Sequence, residues 1–177
     1  VHDRYKKFYN VGTNLTNTIT LSNASDKGGF SLSLSNVDNK GILPNSEFNR
    51  KSVNLGFTQN VTKELSVFGN INYSNEKNTN PPQVNTQDMA VPTVLYTLAI
   101  SMPFDGIEQN QVLPNGNEFV MARFLVRNNP YYSVNYRKEN ITRDRTIGNI
   151  AVKYQFTPWL YAQGRIAQDM YTRYQDY

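Results

Sequence analysis

The sequence predicts an all-β fold: an antiparallel transmembrane β-barrel segment, about six to eight meandering strands of a larger barrel, with a long extracellular loop region carrying a short helix. Three observations predict it. Six stretches alternate apolar with small polar residues at the period of two that belongs to strands. The polar positions are mostly Ser, Thr, Asn, Gln and Gly, where an exposed sheet of a soluble protein carries Lys, Glu and Arg. Short connections also alternate with long ones along the chain. Together these give each strand one side suited to hydrocarbon and one suited to a water-filled interior.

The clearest stretch is Phe30-Ser31-Leu32-Ser33-Leu34-Ser35, pure Phe/Leu on one face and pure Ser on the other. Residues 15–22, 53–58, 65–73 and 150–156 repeat the pattern, and 160–170 follows it more loosely. Compact turns join the first pair at 23–29, which holds Gly28 and Gly29, the second at Thr62-Lys63-Glu64 and the third at Thr157-Pro158. A medium loop is expected over 37–49 and a very long one over 76–144. The division is therefore four barrel strands with short periplasmic turns in 1–75, the extracellular loop region in 76–145, and two further strands in 146–177.

Within the loop region, 93–102 (TVLYTLAISM) places Val94, Leu95, Leu98, Ala99 and Met102 on one helical face. Asp88 is the expected N-cap, Pro92 falls in the first turn, and Pro103 and Gly106 end the helix. Residues 119–126 read as a further strand or an extended rim segment. Tyr73, Tyr154, Phe156 and Trp159 lie near strand ends, where membrane barrels place aromatic girdles; β-propensity alone also favours Tyr and Phe there.

Bulk composition agrees. Charged residues are 18% of the chain, below the roughly 25% of ordinary globular proteins. Aromatics reach 12%, with 12 Tyr and 9 Phe, which is unlike a disordered chain. No apolar run approaches the ~18 residues of a membrane helix, which leaves barrels untouched. The net charge of +4 is scattered. Its densest part, Arg137-Lys138 to Arg143-Asp144-Arg145, is interrupted by acids, so no nucleic-acid partner is expected.

Reactive constellations are scarce, and no enzyme is expected. With no Cys and one His, at position 2, neither a thiol nucleophile nor a zinc site is expected. Asp38-Asn39-Lys40-Gly41 lacks the spaced acids of a calcium loop. Asp105/Glu108 and Asp169/Asp176 are the only paired carboxylates worth naming, and neither has a convergent partner. No phosphate-binding Gly loop occurs, and no cofactor is expected. Asn14-Leu15-Thr16 and Asn60-Val61-Thr62 are chance triplets in an Asn- and Thr-rich chain. What remains are surfaces. Asn54, Thr58, Asn70, Asn72, Lys153, Gln155, Gln163 and Arg165 are the candidate lumen-facing residues, for a passing solute or for contact with a plug. Tyr131, Tyr132 and Tyr136 are candidate loop contacts, able to stack on sugar rings or to pack within the loop.

Several motifs, taken in order, resemble the SusC/RagA family of TonB-dependent outer-membrane transporters. They are Phe8-Tyr9-Asn10-Val11-Gly12 with the Gly28-Gly29 turn, Asn39-Lys40-Gly41-Ile42-Leu43-Pro44-Asn45-Ser46 with Arg50 beyond, and Asn129-Pro130-Tyr131-Tyr132. Arg145-Thr146-Ile147-Gly148-Asn149, Trp159-Leu160 and Arg165 through Asp169-Met170-Tyr171-Thr172 complete the set. The resemblance implies a barrel of about 22 strands around an N-terminal plug in the outer membrane of a Gram-negative, Bacteroidota-like bacterium. It further implies import of oligosaccharides or peptides, a SusD-like surface lipoprotein as lid, and energy delivered by TonB through a region absent from this sequence. No plug, TonB box or barrel-closing strand is recognisable, and the chain opens on Val1, so an internal piece of a longer transporter is expected. Alone, such a piece is expected to aggregate through its open edges. The rival reading is a soluble or surface-attached β-sandwich that binds carbohydrate, which would carry Lys and Glu on its outward positions.

Overall fold

The computed structural model describes residues 3–83, 90–99, 101–120 and 128–177. In chain order the elements are α1 (Asp3–Phe8), β1 (Thr13–Ser25), β2 (Gly28–Lys40), β3 (Glu47–Asn60), β4 (Leu65–Thr79), α2 (Val91–Thr97), α3 (Phe104–Gln109), α4 (Pro130–Asn135), β5 (Asn140–Thr157) and β6 (Leu160–Asp176). The strands form one antiparallel meander in the order β1-β2-β3-β4-β5-β6. The protein is thus all-β with short helices, and within the described residues the sheet is open, with β1 and β6 at its edges.

Each strand runs further than its alternating stretch. β5 has 18 residues and β1 has 13, so the strands are roughly 45–60 Å long. Most of the extra length lies at the long-connection end, where polar residues predominate on both faces. The 37–49 loop accordingly shrinks to 41–46, and the long connection to 80–139.

Three tight turns share the other end. Ser25 pairs with Gly28 around Asp26-Lys27. Thr62 Oγ1 accepts from the backbone N–H of Glu64 and Leu65 at 3.1 and 2.9 Å. Thr157 Oγ1 accepts from Leu160 N across Pro158-Trp159. Gly28 has φ +143°, and a Cβ there would stand 2.3 Å from the Thr58 carbonyl oxygen. Gly28→Ala is expected to destabilise the β1–β2–β3 hairpins by about 1–3 kcal/mol, read as a lower denaturant midpoint.

The apolar core sits in a cap at the long-connection end, away from the two faces of the sheet. Phe8, Leu43, Leu95, Phe104, Ile107, Tyr131 and Val134 form one cluster. Phe8 and Tyr131 meet edge to face at 5.0 Å, and Phe104 adds a second edge contact to Tyr131 at 6.4 Å. Two asparagines with left-handed backbone tie the connections together. Asn45 (φ 59°) donates to the Val134 carbonyl at 2.9 Å, and Asn80 (φ 47°) donates to the Asn45 carbonyl at 3.0 Å.

The expected 93–102 helix is observed as α2, shifted toward the N-terminus. Ala90 occupies the N-cap with Pro92 in the first turn; Asp88 lies outside the described residues. The helix stops at Thr97 because Leu98 is extended (ψ 135°). Leu98, Ala99, Ser101 and Met102 of the expected helix are non-helical, and Pro103, expected to end it, is the N-cap of α3, which contains Gly106. Of the expected segment 119–126, only Phe119 and Val120 are described. Next to them Glu118 forms an isolated bridge with Val112.

Candidate functional site

Register decides which side chains share a face. Asn54 pairs with Asn72, Thr58 with Phe68, Gly56 with Asn70, and Asn70 with Asn149. Ser66 pairs with Lys153, Lys153 with Gln163, and Ala151 with Arg165. All eight candidate lumen residues, Gln155 included, therefore lie on one face. Side-chain bonds cross the strands there. Asn72 donates to Asn54 and Asn149 to Asn70, and the hydroxyls of Thr18 and Ser35 and of Thr20 and Ser33 meet at 3.0 and 2.9 Å. The Lys153 ammonium stands 4.4 Å from the centre of the Tyr161 ring.

This polar face is the concave one. A shallow hollow of about 750 Å³ is lined by residues of all six strands, among them Ser22, Ser31, Gly56, Phe68, Asn149 and Arg165. A flat sheet offers no such hollow. Exposure agrees: Ala151, on the polar face, is 1% exposed, while its neighbours Ile150 and Val152 on the other face are 47% and 45% exposed. Phe68 and Asn149 belong to the hollow and escaped the sequence reading. Counting parity from Leu65 was the available signal, since it places Phe68 with Asn70 rather than with Ile71.

The convex face is apolar and uncovered. Ile19, Leu34, Val53, Tyr73, Thr146 and Met170 form one lateral row of register partners; Leu21, Leu32, Leu55, Ile71, Gly148 and Gln168 form the next. Ile19 is 74% exposed and Ile166 76%, and no second sheet covers them among the described residues. The row beyond Tyr73 is entirely polar: Asn17, Asn36, Lys51, Asn75, Asp144 and Thr172. There Asp144 accepts from the Tyr73 hydroxyl at 2.7 Å and from Asn75 at 2.8 Å.

The apolar band begins at one level across β1 to β4, at Ile19, Leu34, Val53 and Tyr73, and two rows further along β5, at Ile150. Of the four expected girdle residues, Tyr154 and Phe156 meet edge to face at 4.9 Å near the turn end of the band, with Trp159 exposed in the turn beyond. Tyr73 stands at the opposite border.

The charges of the strands are segregated by face. Arg50, Arg143, Arg145, Lys153, Arg165 and Arg173 share the concave side with only Glu76 and Asp169. The convex side carries Lys40, Lys51 and Lys77 against Asp38, Glu47, Asp144 and Asp176.

The loop tyrosines divide. Tyr131 is buried in the cap core and presents no ring to a solute. Tyr132 and Tyr136 stack at 5.1 Å. Tyr136 lines a second hollow of about 270 Å³ between the cap and the strand ends, together with Leu43, Pro44, Pro82, Arg137 and Ser133, whose buried hydroxyl lacks a partner. The cap is held by Asn129, which is fully buried. Its side chain accepts from the Tyr131 and Tyr132 N–H groups at 3.0 and 3.4 Å and donates to the Ile107 and Asn110 carbonyls, both at 3.0 Å. The Asn-Pro-Tyr-Tyr motif is thus an N-cap followed by Pro at the first helical turn. The Glu118 carboxylate accepts from the Asn129 backbone N–H, and burial pushes that carboxyl above the usual carboxylate range. At the cap surface Lys7 pairs with Asp105 and Glu108 at 2.5 and 2.6 Å; these bonds hold its ammonium well above the usual lysine range.

Among the described residues no group of three His, Cys, Asp or Glu is placed to hold a metal, and no helix is long and apolar enough to cross a membrane. The latter says nothing of crossing by strands. No protein-family model matches the chain, and no curated protein matches it.

Proposed function

We propose that this chain is part of the wall of an outer-membrane β-barrel, and that the barrel is a TonB-dependent nutrient importer of the SusC/RagA type. The observation that carries the membrane reading is the exposed apolar band on the convex face. It extends over all six strands and is bordered at the long-connection end by one continuous polar row. An uncovered apolar surface of this extent marks contact with lipid or with another protein. The alternation of Leu, Ile and Val with Ser, Asn and Thr suits lipid outside and water inside.

In this reading the two open edges are continued by further strands, since an open sheet leaves backbone groups unpaired in lipid. The concave face borders the solute path and the cap faces the outside of the cell. The importer class, with oligosaccharides or peptides as cargo, a SusD-like lipoprotein as lid and TonB as energy source, is supported by the ordered motif resemblance. No bond is made or broken by the residues described here; the work is selective passage.

The test is fractionation of cells producing the full protein that carries this chain. The expected result is retention in outer membranes after an alkaline carbonate wash, with release only by detergent. Release by the wash would overturn the reading and favour a soluble carbohydrate-binding sandwich.

A further inference from the structure

We propose that the solute admitted along the concave face is anionic, and that a row of arginines at its long-connection end recognises the carboxylates. This rests on the barrel-wall reading above and names the substrate class for it.

The row follows from register. Arg50 on β3 pairs with Glu76 on β4, Glu76 with Arg143 on β5, and Arg143 with Arg173 on β6. Direct partners have Cβ atoms about 5 Å apart, so the four side chains form a continuous line roughly 14 Å long. One row deeper, Arg145 makes a two-pronged pair with Asp169, Nε to Oδ1 at 3.0 Å and a terminal nitrogen to Oδ2 at 2.6 Å. Glu76 is taken up by Arg143, whose Nε donates to it at 2.9 Å.

Both acids are therefore satisfied, and the outer two arginines are left over. Arg50 forms no ion pair with a described residue, and Arg173 bonds only the neutral Gln175 amide oxygen, at 2.8 Å. Both side chains are exposed. Inter-strand bonds occupy Arg143 and Arg145; Arg50 stands across from Glu76 without a bond to it, and Arg173 stands across from Arg143. Two unpaired guanidiniums flanking a fixed one form a fork-shaped donor array that fits carboxylates bidentately. With three guanidiniums to one carboxylate the row is net positive, and a net positive row at the entrance of a polar path also selects by sign, as in anion-selective pores. The segregation of charge strengthens the case, because only the concave face has a large cationic excess.

Carboxylates of this kind come from uronic-acid oligosaccharides or from acidic peptides. The experiment therefore uses trigalacturonate and triglutamate, with maltotriose and trialanine as neutral partners, on the detergent-solubilised full protein. The expected result is that at least one acidic probe binds about tenfold more tightly than its neutral partner. Binding is expected to weaken steeply with added salt. Which acidic probe responds identifies the source. Arg50→Gln with Arg173→Gln is expected to remove the acidic preference, while Lys51→Gln, one residue away on the convex face, leaves it intact. Equal binding of acidic and neutral probes, or full acidic preference in the double variant, would overturn the proposal. Salt dependence of the unaltered protein is read independently of whether the variant folds. A protein that survives the carbonate wash yet shows no acidic preference sinks the arginine assignment alone; one released by the wash sinks the wall reading.

Discussion

Ile71→Arg is expected to remove the protein from the membrane, while Asn72→Arg, the next residue along β4, leaves it in place. Ile71 lies in the middle of the apolar band, flanked laterally by Leu55 and Gly148, and is exposed on the convex face. A charged guanidinium at the midplane of a membrane barrel costs about 2–4 kcal/mol, enough to tip a marginal assembly into degradation. Asn72 points to the concave side, where its amide bonds Asn54 and water replaces whatever the substitution removes. Arginine there adds one more cation to a face that already carries several. Yield in carbonate-washed membranes is the readout. Equal loss for both variants would mean that the two faces share one environment, which the wall assignment forbids.

The second large effect is at Asn129. Its amide makes four hydrogen bonds in the cap interior: two accepted from the start of α4, and two donated to the end of α3 and the segment after it. Asn129→Ala removes the cap, at about 1 kcal/mol. It also leaves the Ile107 and Asn110 carbonyls short of a donor, at about 1–3 kcal/mol for each one that stays dry. A loss of roughly 3–7 kcal/mol is expected if both carbonyls stay dry, confined to the cap. Hydrogen exchange should show fast amides over α3 and α4 with the sheet unchanged. Asn129→Asp separates the two roles. The carboxylate still caps α4 but faces two carbonyl oxygens, so α4 should keep its protection better than the turn at Asn110. Slow exchange throughout the cap in the alanine variant would contradict this account.

The strands were legible over the stretches where one face is apolar and the other polar. Leu32 and Leu55 fall on one face and Ser33 and Asn54 on the other, so the alternation within a single strand carries the signal. For the same reason all eight candidate lumen residues fall on one face. The cap was largely illegible. Helices of six residues, such as α3 and α4, are under two turns and have no periodicity to detect. Val91–Thr97 ends where Leu98 turns extended to enter the core, a tertiary choice that helical spacing of apolar residues does not record. Tyr131 resembles an accessible loop aromatic in sequence; only the approach of Phe8, more than a hundred positions away, buries it. The arginine row is the extreme case. Arg50, Arg143 and Arg173 are unremarkable in sequence, and become neighbours only once three strand pairings set their offsets.

The most direct measurement is nitroxide scanning along β3 and β4 of the full protein in lipid vesicles, comparing relaxation by dissolved oxygen with relaxation by a water-soluble nickel chelate. Labels at Val53, Leu55, Phe57 and Ile71 are predicted to respond to oxygen, and labels at Asn54, Thr58, Asn70 and Asn72 to the chelate. Uniform protection from both reagents at the first four positions would show those side chains packed against protein instead of lipid, and would contradict the central claim.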